Sequence, residues 1–136
     1  MGLKGLLVSS LIVFSSAVMA HDENILGCGG TGPYWTMGVS SDEISYEEPM
    51  SDVVVKYEAV KPRTAENRGE ELVRVYETKS LKDGAKATIV ISQRDCSNGM
   101  SPIIDDYEIL LITGDKVLNG CCSLPGGGRR TDEVAN

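Results

Sequence analysis

The stretch that decides the fold is residues 107–122, YEILLITGDKVLNGCC, near the end of the chain. Its first half, residues 107–113, is rich in β-branched and aliphatic side chains, and a second extended segment covers residues 116–122. The Gly114–Asp115 pair between them is typical of a tight hairpin turn. Because the centre of the first segment is apolar on both faces, the pattern predicts a strand that is covered on both sides.

Four further segments show the same character, with β-branched residues and a period of two. They are residues 34–40, 51–60, 71–78 and 85–93. Residues 61–70 are polar and indicate a loop or a short helix. The pattern therefore predicts an all-β fold, a small antiparallel meander barrel or sandwich of about six to seven strands, stapled by disulfides.

Residues 1–20 have the character of a cleaved secretory signal peptide. Lys4 supplies the basic start, an apolar stretch follows, and residues 18–20 are small or slim where signal peptidase reads. We expect a mature chain beginning at His21, with one β domain over residues 21–122 and a flexible tail over 123–136. The expected location is the periplasm, and no segment has the length of a transmembrane span.

A lipid anchor on Cys28 is the alternative to a free exported chain. The residues just before Cys28 loosely match the pattern that precedes a lipid-modified cysteine. However, the polar run of residues 21–24 separates them from the apolar region that such a site requires. The sequence therefore favours the unanchored form.

Charge and histidine content exclude several classes of function. The chain has 13 Lys and Arg against 20 Asp and Glu. Lys4 is the one charged residue among residues 1–20, so removing them leaves 12 basic and 20 acidic residues and a net charge of −8. Phosphate binding depends on clustered basic residues, so we expect no nucleic-acid partner. His21 is the single histidine. We therefore expect no His-based catalytic site, no metal and no cofactor.

Four cysteines in an exported chain predict two disulfides. They are Cys28, Cys96, Cys121 and Cys122. A bridge between the neighbours Cys121 and Cys122 is disfavoured, because adjacent side chains of an extended strand point to opposite faces. Cys28 and Cys96 are therefore each expected to bond one member of the pair, with the choice between them open. A zinc site is disfavoured because the spacing lacks two CxxC pairs.

Three short segments stand apart from the strand pattern and carry the candidate binding residues. The first is Gly-rich, residues 28–35, and we interpret it as a loop whose glycines allow sharp turns and close approach to a neighbouring chain. The second, residues 96–101, contains the turn signal Asn-Gly; the third is residues 120–122. The candidate binding residues are Gly30, Tyr34, Trp35, Ser97, Asn98 and Met100.

These candidates have different expected environments. We interpret Trp35 as a core anchor, with an exposed ligand platform as the alternative. Tyr34 and Asn98 are expected at the rim of a site. Met100 is expected to pack onto the core rather than to bind a metal.

The order and spacing of the three segments resemble a proteobacterial family of small exported proteins and lipoproteins with no assigned activity. Its motifs read CxGxxP(F/Y)W, CS(D/N)GMS and GCC, and some members are fused to META-type, heat-shock lipoprotein-like domains. The resemblance spans residues 28–122. Gly32 and Asn98 stand where relatives commonly carry acids, so acid–base chemistry through those positions is not expected here.

The sequence favours a non-catalytic exported binding or interaction module over an enzyme. The expected partner is an envelope protein, a cell-wall fragment or a small apolar ligand. A structural or stress-protective envelope protein is the alternative. A thiol-redox protein using Cys121 and Cys122 is a further alternative. The sequence disfavours it, because such enzymes usually carry CxxC on a helix.

The first testable prediction concerns the mature protein isolated from the exporting cell. We expect an intact mass that starts at His21, and an increase of four hydrogens on reduction, because all four cysteines are paired. Mass spectrometry with and without reductant measures both. A lipid adduct on Cys28, or thiols that alkylate before reduction, would contradict the prediction.

Overall fold

The computed structural model of the protein describes residues 25–69 and 72–131. The signal-peptide prediction and the expected start at His21 lie outside these residues. Within the described ranges every regular element is a β-strand, which confirms the all-β prediction. None of these residues forms a helix long and apolar enough to cross a membrane.

Ten strands follow one another along the chain, more than the six or seven predicted. They are β1 (Leu26–Thr31), β2 (Tyr34–Val39), β3 (Ile44–Glu48), β4 (Val53–Tyr57), β5 (Arg63–Thr64), β6 (Val73–Lys79), β7 (Lys86–Cys96), β8 (Ile103–Thr113), β9 (Lys116–Ser123) and β10 (Arg129–Arg130).

The sheet consists of two antiparallel meanders joined at one junction. Strands β1 to β4 form the first meander and β5 to β9 the second, and the order across the sheet is β4-β3-β2-β1-β9-β8-β7-β6-β5. β1 pairs with β9 in antiparallel register, so the beginning and the end of the domain lie side by side. β10 pairs with β8, which returns part of the segment after Ser123 to the sheet.

The sheet is not closed into a barrel. Its two sides approach each other through a bridge between Tyr57, at the end of β4, and Ser80, just after β6. Two main-chain bonds accompany the bridge: the Leu81 N–H donates to the Lys56 carbonyl and the Glu58 N–H to the Lys79 carbonyl, each at 2.9 Å. The remainder of β4 has only β3 as a neighbour among the described residues.

One face of the sheet holds the core. Trp35, Met37 and Val39 alternate along β2 on one face, and all three are at most 2% exposed. Trp35 stacks on Tyr46 with 5.9 Å between the ring centroids. No phenylalanine follows Phe14, so tyrosines supply most of the aromatic volume of the core. The buried tyrosines are Tyr46, Tyr57, Tyr76 and Tyr107.

One tyrosine hydroxyl in the core has a charged partner. The Tyr46 hydroxyl donates a 2.6 Å hydrogen bond to the carboxylate of Glu48, two residues along β3. Burial, and then this carboxylate, raise the pKa of Tyr46 far above its usual value. Tyr46 is therefore a neutral donor at physiological pH.

The prediction that residues 107–113 are covered on both faces is wrong. Ile109 and Leu111 are fully buried, whereas Leu110 and Ile112 are each 36% exposed. The sheet has a single packed face here, because no described element forms a second layer over the other face. The apolar run therefore predicted more burial than the structure shows. A run of apolar residues does not distinguish a strand covered on both faces from one covered on a single face.

The predicted hairpin turn at Gly114–Asp115 is present, a further turn at Gly84 joins β6 to β7, and residues 61–70 contain no helix where the structure describes them. Gly84 and Gly114 have φ angles of 74° and 60°, which glycine tolerates and which tight turns require. Strands β1 and β3 were not predicted, nor were the two-residue strands β5, within the predicted loop, and β10, within the predicted tail. The glycines of β1 and the glutamates of β3 have low β-propensity, which weakens the strand pattern in each of these two segments.

Replacing Trp35 by alanine tests its role as the core anchor. Because the side chain is 1% exposed and stacked on Tyr46, we expect Trp35→Ala to lower the free energy of unfolding by about 3–5 kcal/mol. Tyr34→Ala is the matched control, since Tyr34 is 52% exposed and a change within about 0.5 kcal/mol is expected. Urea unfolding measures both. Equal losses for the two variants would contradict the assignment.

Candidate functional site

Two disulfides bring the three cysteine-containing segments together. Cys28 bonds Cys122 and Cys96 bonds Cys121, with Cα–Cα distances of 4.0 and 5.5 Å. The prediction that Cys28 and Cys96 each take one member of the neighbouring pair is confirmed. The structure also decides which member each one takes.

Strand geometry explains this choice of partners. Cys28 and Cys122 face each other directly in the β1–β9 ladder, and both belong to the core. Cys121 is the next residue of the same strand, so its side chain points to the opposite face. A register shift between Gln93 and Cys96 distorts the end of β7, where Cys96 bonds Cys121.

A pocket of about 250 Å³ lies where the three segments meet. Its walls come from β1 and the turn after it, from the segment after Cys96, and from β9. The lining residues are Gly29, Gly30, Thr31, Gly32, Trp35, Cys96, Ser97, Asn98, Val117, Leu118, Asn119, Gly120 and Cys121. The structure therefore brings residues of all three segments around one opening: most of residues 28–35, the start of 96–101 and the first two residues of 120–122.

Glycines shape the floor of this pocket. A Cβ on Gly30 would lie 2.4 Å from Trp35 Nε1, and one on Gly120 would lie 2.1 Å from the Gly29 carbonyl oxygen. These positions therefore have no room for a side chain, because β1, β9 and the edge of the indole pack directly on one another. The interpretation of residues 28–35 as a loop is wrong, since most of them form the β1–β2 hairpin. The close approach expected of the glycines is present.

The turn after Cys96 presents hydrogen-bond donors. The Asn98 side-chain oxygen accepts bonds from the Met100 and Ser101 N–H groups at 2.9 and 3.2 Å, and Gly99 has a φ of 74°. The Ser97 hydroxyl oxygen accepts from the Gly99 N–H at 3.2 Å. Both oxygens are occupied as acceptors, so the Asn98 amide NH2 and the Ser97 hydroxyl hydrogen remain available to donate.

The indole N–H of Trp35 is a further donor at the pocket. No described residue accepts a hydrogen bond from Trp35 Nε1, although the side chain as a whole is buried. Every side-chain nitrogen or oxygen that is sealed from solvent in the described part has a partner. Nε1 is therefore accessible from the pocket that Trp35 lines.

The pocket lining contains no charged side chain. Two acids pair with lining residues in the sheet: Asp105 with Cys96 in the β7–β8 ladder and Glu108 with Cys121 in the β8–β9 ladder. Burial, and then the neighbouring charge of Asp106, raise the pKa of Asp105. The described residues contain no group of three or more His, Cys, Asp or Glu side chains placed to hold a metal. The arrangement offers hydrogen bonds to a neutral molecule.

The structure places the candidate residues in two groups. Gly30, Trp35, Ser97 and Asn98 line the pocket, whereas Tyr34 and Met100 do not. The expected packing of Met100 onto the core is wrong: the side chain is 79% exposed, because the turn projects it outward.

Sequence reasoning missed Asn119. Its side chain carries an amide and it precedes Gly120, which is a turn-like pair inside a strand. The sequence analysis placed Gly120 in the third segment but assigned Asn119 only to the strand over residues 116–122. A glycine at that point could have signalled close approach of another backbone.

No family model, curated protein or solved structure matches this chain. The resemblance to the family of small exported proteins therefore stays a prediction, and the site is interpreted from its own residues.

Adding one methyl group at Gly120 tests the close packing of the pocket floor. The new Cβ would collide with the main chain of Gly29, which cannot move without disturbing the β1–β9 ladder. We therefore expect Gly120→Ala to cost about 1–3 kcal/mol in the free energy of unfolding.

Gly27→Ala is the control for this prediction. It adds the same methyl group to β1, where the nearest heavy atom would lie 3.9 Å away. Chemical denaturation of both variants compares them. A stability for Gly120→Ala equal to that of Gly27→Ala would show that the close contact is absent.

Proposed function

We propose that this protein is an exported, non-catalytic binding module of the bacterial envelope, with its ligand site in the pocket beside Trp35. The observation that carries the proposal is the convergence of three cysteine-linked segments around one opening. Two disulfides fix the walls of the pocket before a ligand arrives. Such preorganisation lowers the entropic cost of binding.

The chemistry of the lining favours a neutral ligand rich in hydrogen-bond acceptors. Donors are available on Trp35, Ser97 and Asn98, and charged side chains are absent from the lining. Among the partners considered, a cell-wall fragment fits this best, because its sugars carry hydroxyl and acetamido oxygens. The volume suits a group of about one sugar ring, since it is smaller than the pockets of drug-sized ligands.

The cysteines support an exported, unanchored protein. Disulfides persist in oxidising compartments such as the periplasm and are rare in the cytosol. The Cys28 sulfur is bonded to Cys122, which leaves no thiol at that position for a lipid. Export also agrees with the signal-peptide character of residues 1–20.

Binding of N-acetylglucosamine and its β-1,4-linked disaccharide tests the proposal. Trp35 is the single tryptophan, so one indole N–H resonance reports directly on the pocket. We expect both sugars to shift this resonance and the Asn98 side-chain amide resonances in a two-dimensional NMR titration. Hexane-1,2-diol, a diol without the ring or acetamido group, serves as the comparison probe and should give much smaller shifts.

Asn98→Ala provides the mutational arm. Removing one donor at the pocket should weaken sugar binding by roughly tenfold, because about 1.4 kcal/mol corresponds to that factor. Met100→Ala is the matched control in the same turn, and it should bind normally since Met100 lies outside the lining. Absence of shifts with both sugars would contradict this ligand class and favour the structural or stress-protective alternative. Equal binding by both variants would place the site elsewhere.

A further inference from the structure

Arg74 lies on the core side of β6, where a charged side chain is unexpected. Side chains alternate between the faces of a strand, and Tyr76 and Thr78, which share the face of Arg74, are only 6% and 8% exposed. Charged side chains are rarely placed on a buried face unless an acceptor or an opposite charge compensates them. A group that accepts hydrogen bonds from the Arg74 guanidinium is therefore expected at this position.

The described part of the chain supplies no such acceptor. No described residue forms an ion pair with Arg74 or accepts a hydrogen bond from its guanidinium, whose carbon Cζ lies 5.6 Å from the centroid of the Tyr107 ring. The face of an aromatic ring stabilises the positive charge but leaves the N–H donors unpaired. Three other arginines have carboxylate partners: Arg63 with Glu77, Arg94 with Glu108 and Arg129 with Asp95. Arg74 has none among the described residues, although acids outnumber bases in the chain.

Arg74 lines a pocket of about 530 Å³, which we name the Arg74 pocket. It lies between the turn after β2, the segment that connects β4 to β5, and β6. The lining includes Val39, Val60, Lys61, Pro62, Arg74 and Tyr76. Every side-chain nitrogen or oxygen that is sealed from solvent in the described part has a partner. The unpartnered guanidinium nitrogens are therefore accessible, and a ligand reaches them from the pocket that Arg74 lines.

The polar groups of the Arg74 pocket favour a negatively charged ligand. Lys61 adds a second positive charge, and it forms no ion pair with a described residue. The Tyr76 hydroxyl has no hydrogen-bond partner in the described part, so it is able to donate to a ligand. The described lining contains no carboxylate. The pocket therefore concentrates positive charge in a protein whose net charge is negative.

The same lining limits the class of ligand. A guanidinium is planar and pairs two of its N–H groups with the two oxygens of a carboxylate. Apolar walls bury an apolar chain or ring, and a volume of about 530 Å³ falls within the range of small-molecule pockets. The excess of acids over bases in the whole chain repels multiply charged anions, which favours a ligand with a single negative charge.

We propose that the Arg74 pocket binds a small amphiphilic anion, with one carboxylate on an apolar chain or ring. Arg74 donates paired hydrogen bonds to the carboxylate, Lys61 adds electrostatic attraction, and the apolar body lies against Val39 and Val60. This site is separate from the pocket beside Trp35, because the two share no lining residue, and Trp35 and Val39 lie near opposite ends of β2. Sugar binding can therefore fail or succeed independently.

Titration of the disulfide-intact mature protein with octanoate, followed by two-dimensional NMR, tests the proposal. The Arg74 Nε–H resonance and the methyl resonances of Val39 and Val60 report on the pocket. We expect saturable shifts of all three, with half-saturation below about 1 mM. Octan-1-ol lacks the charge and acetate lacks the apolar chain, so each should bind at least about tenfold more weakly. Absence of these shifts, or equal affinity for octanoate and either comparison probe, would overturn the proposal.

Arg74→Met removes the charge while keeping a long apolar side chain. Octanoate should bind this variant about tenfold more weakly or worse, because hydrogen bonds to a charged group are lost. Arg63→Met is the matched control, since it removes the same charge from a side chain that is 72% exposed and paired with Glu77. Its affinity should stay within about threefold of the unmodified protein. Equal losses for the two variants would contradict the assignment to Arg74.

A second pair of variants keeps the test decisive if Arg74→Met fails to fold. Ala59 is an exposed residue of the same lining, so its side chain can be enlarged without disturbing the core. Ala59→Glu places a carboxylate at the pocket, where it competes with octanoate for Arg74 and Lys61. Ala59→Gln is the reference of equal size without the charge, and Ala59→Glu should bind octanoate about tenfold more weakly than it. Equal octanoate affinity of these two variants would contradict recognition of an anion here.

Discussion

The pairing of β1 with β9 is the contact on which the rest of the structure depends. It joins the two meanders, whose other main-chain pairing among the described residues is the short bridge at Tyr57 and Ser80. The Cys28–Cys122 disulfide fixes this junction across a sequence separation of 94 residues. In the chain-entropy account, a closure of that length stabilises the folded state by roughly 4–5 kcal/mol relative to the reduced chain.

The pocket is a consequence of that junction. Gly29 and Gly120 let the two strands approach without side chains between them, and the indole of Trp35 packs against the resulting surface. The second disulfide then holds the segment after Cys96 beside β9. Core packing and the candidate site therefore share Trp35, whose ring is buried while its N–H borders the opening.

The same architecture explains why the domain has an open edge. β4 pairs with β3 along its whole length and reaches the second meander only at its end, where Tyr57 bridges Ser80 and the Lys56 carbonyl accepts from the Leu81 N–H. Among the described residues, the sheet therefore stays open along the rest of β4. Closing a sheet satisfies all main-chain groups within the chain, whereas an open edge leaves some to solvent or to a partner. The pocket and this edge are built from separate residues, which allows each to be altered alone.

The sequence by itself determined the all-β class, the main strands, the hairpin turns and the rule that Cys28 and Cys96 share the neighbouring cysteines. These follow from local properties: period-two patterning, glycine in turns and the opposite faces of adjacent residues in a strand. Only the tertiary structure decided that the glycine-rich segment is a strand, that Met100 points to solvent and that Cys122 rather than Cys121 bonds Cys28. Each of these depends on which strands become neighbours, and a local pattern contains no information about a neighbour that is more than ninety residues away.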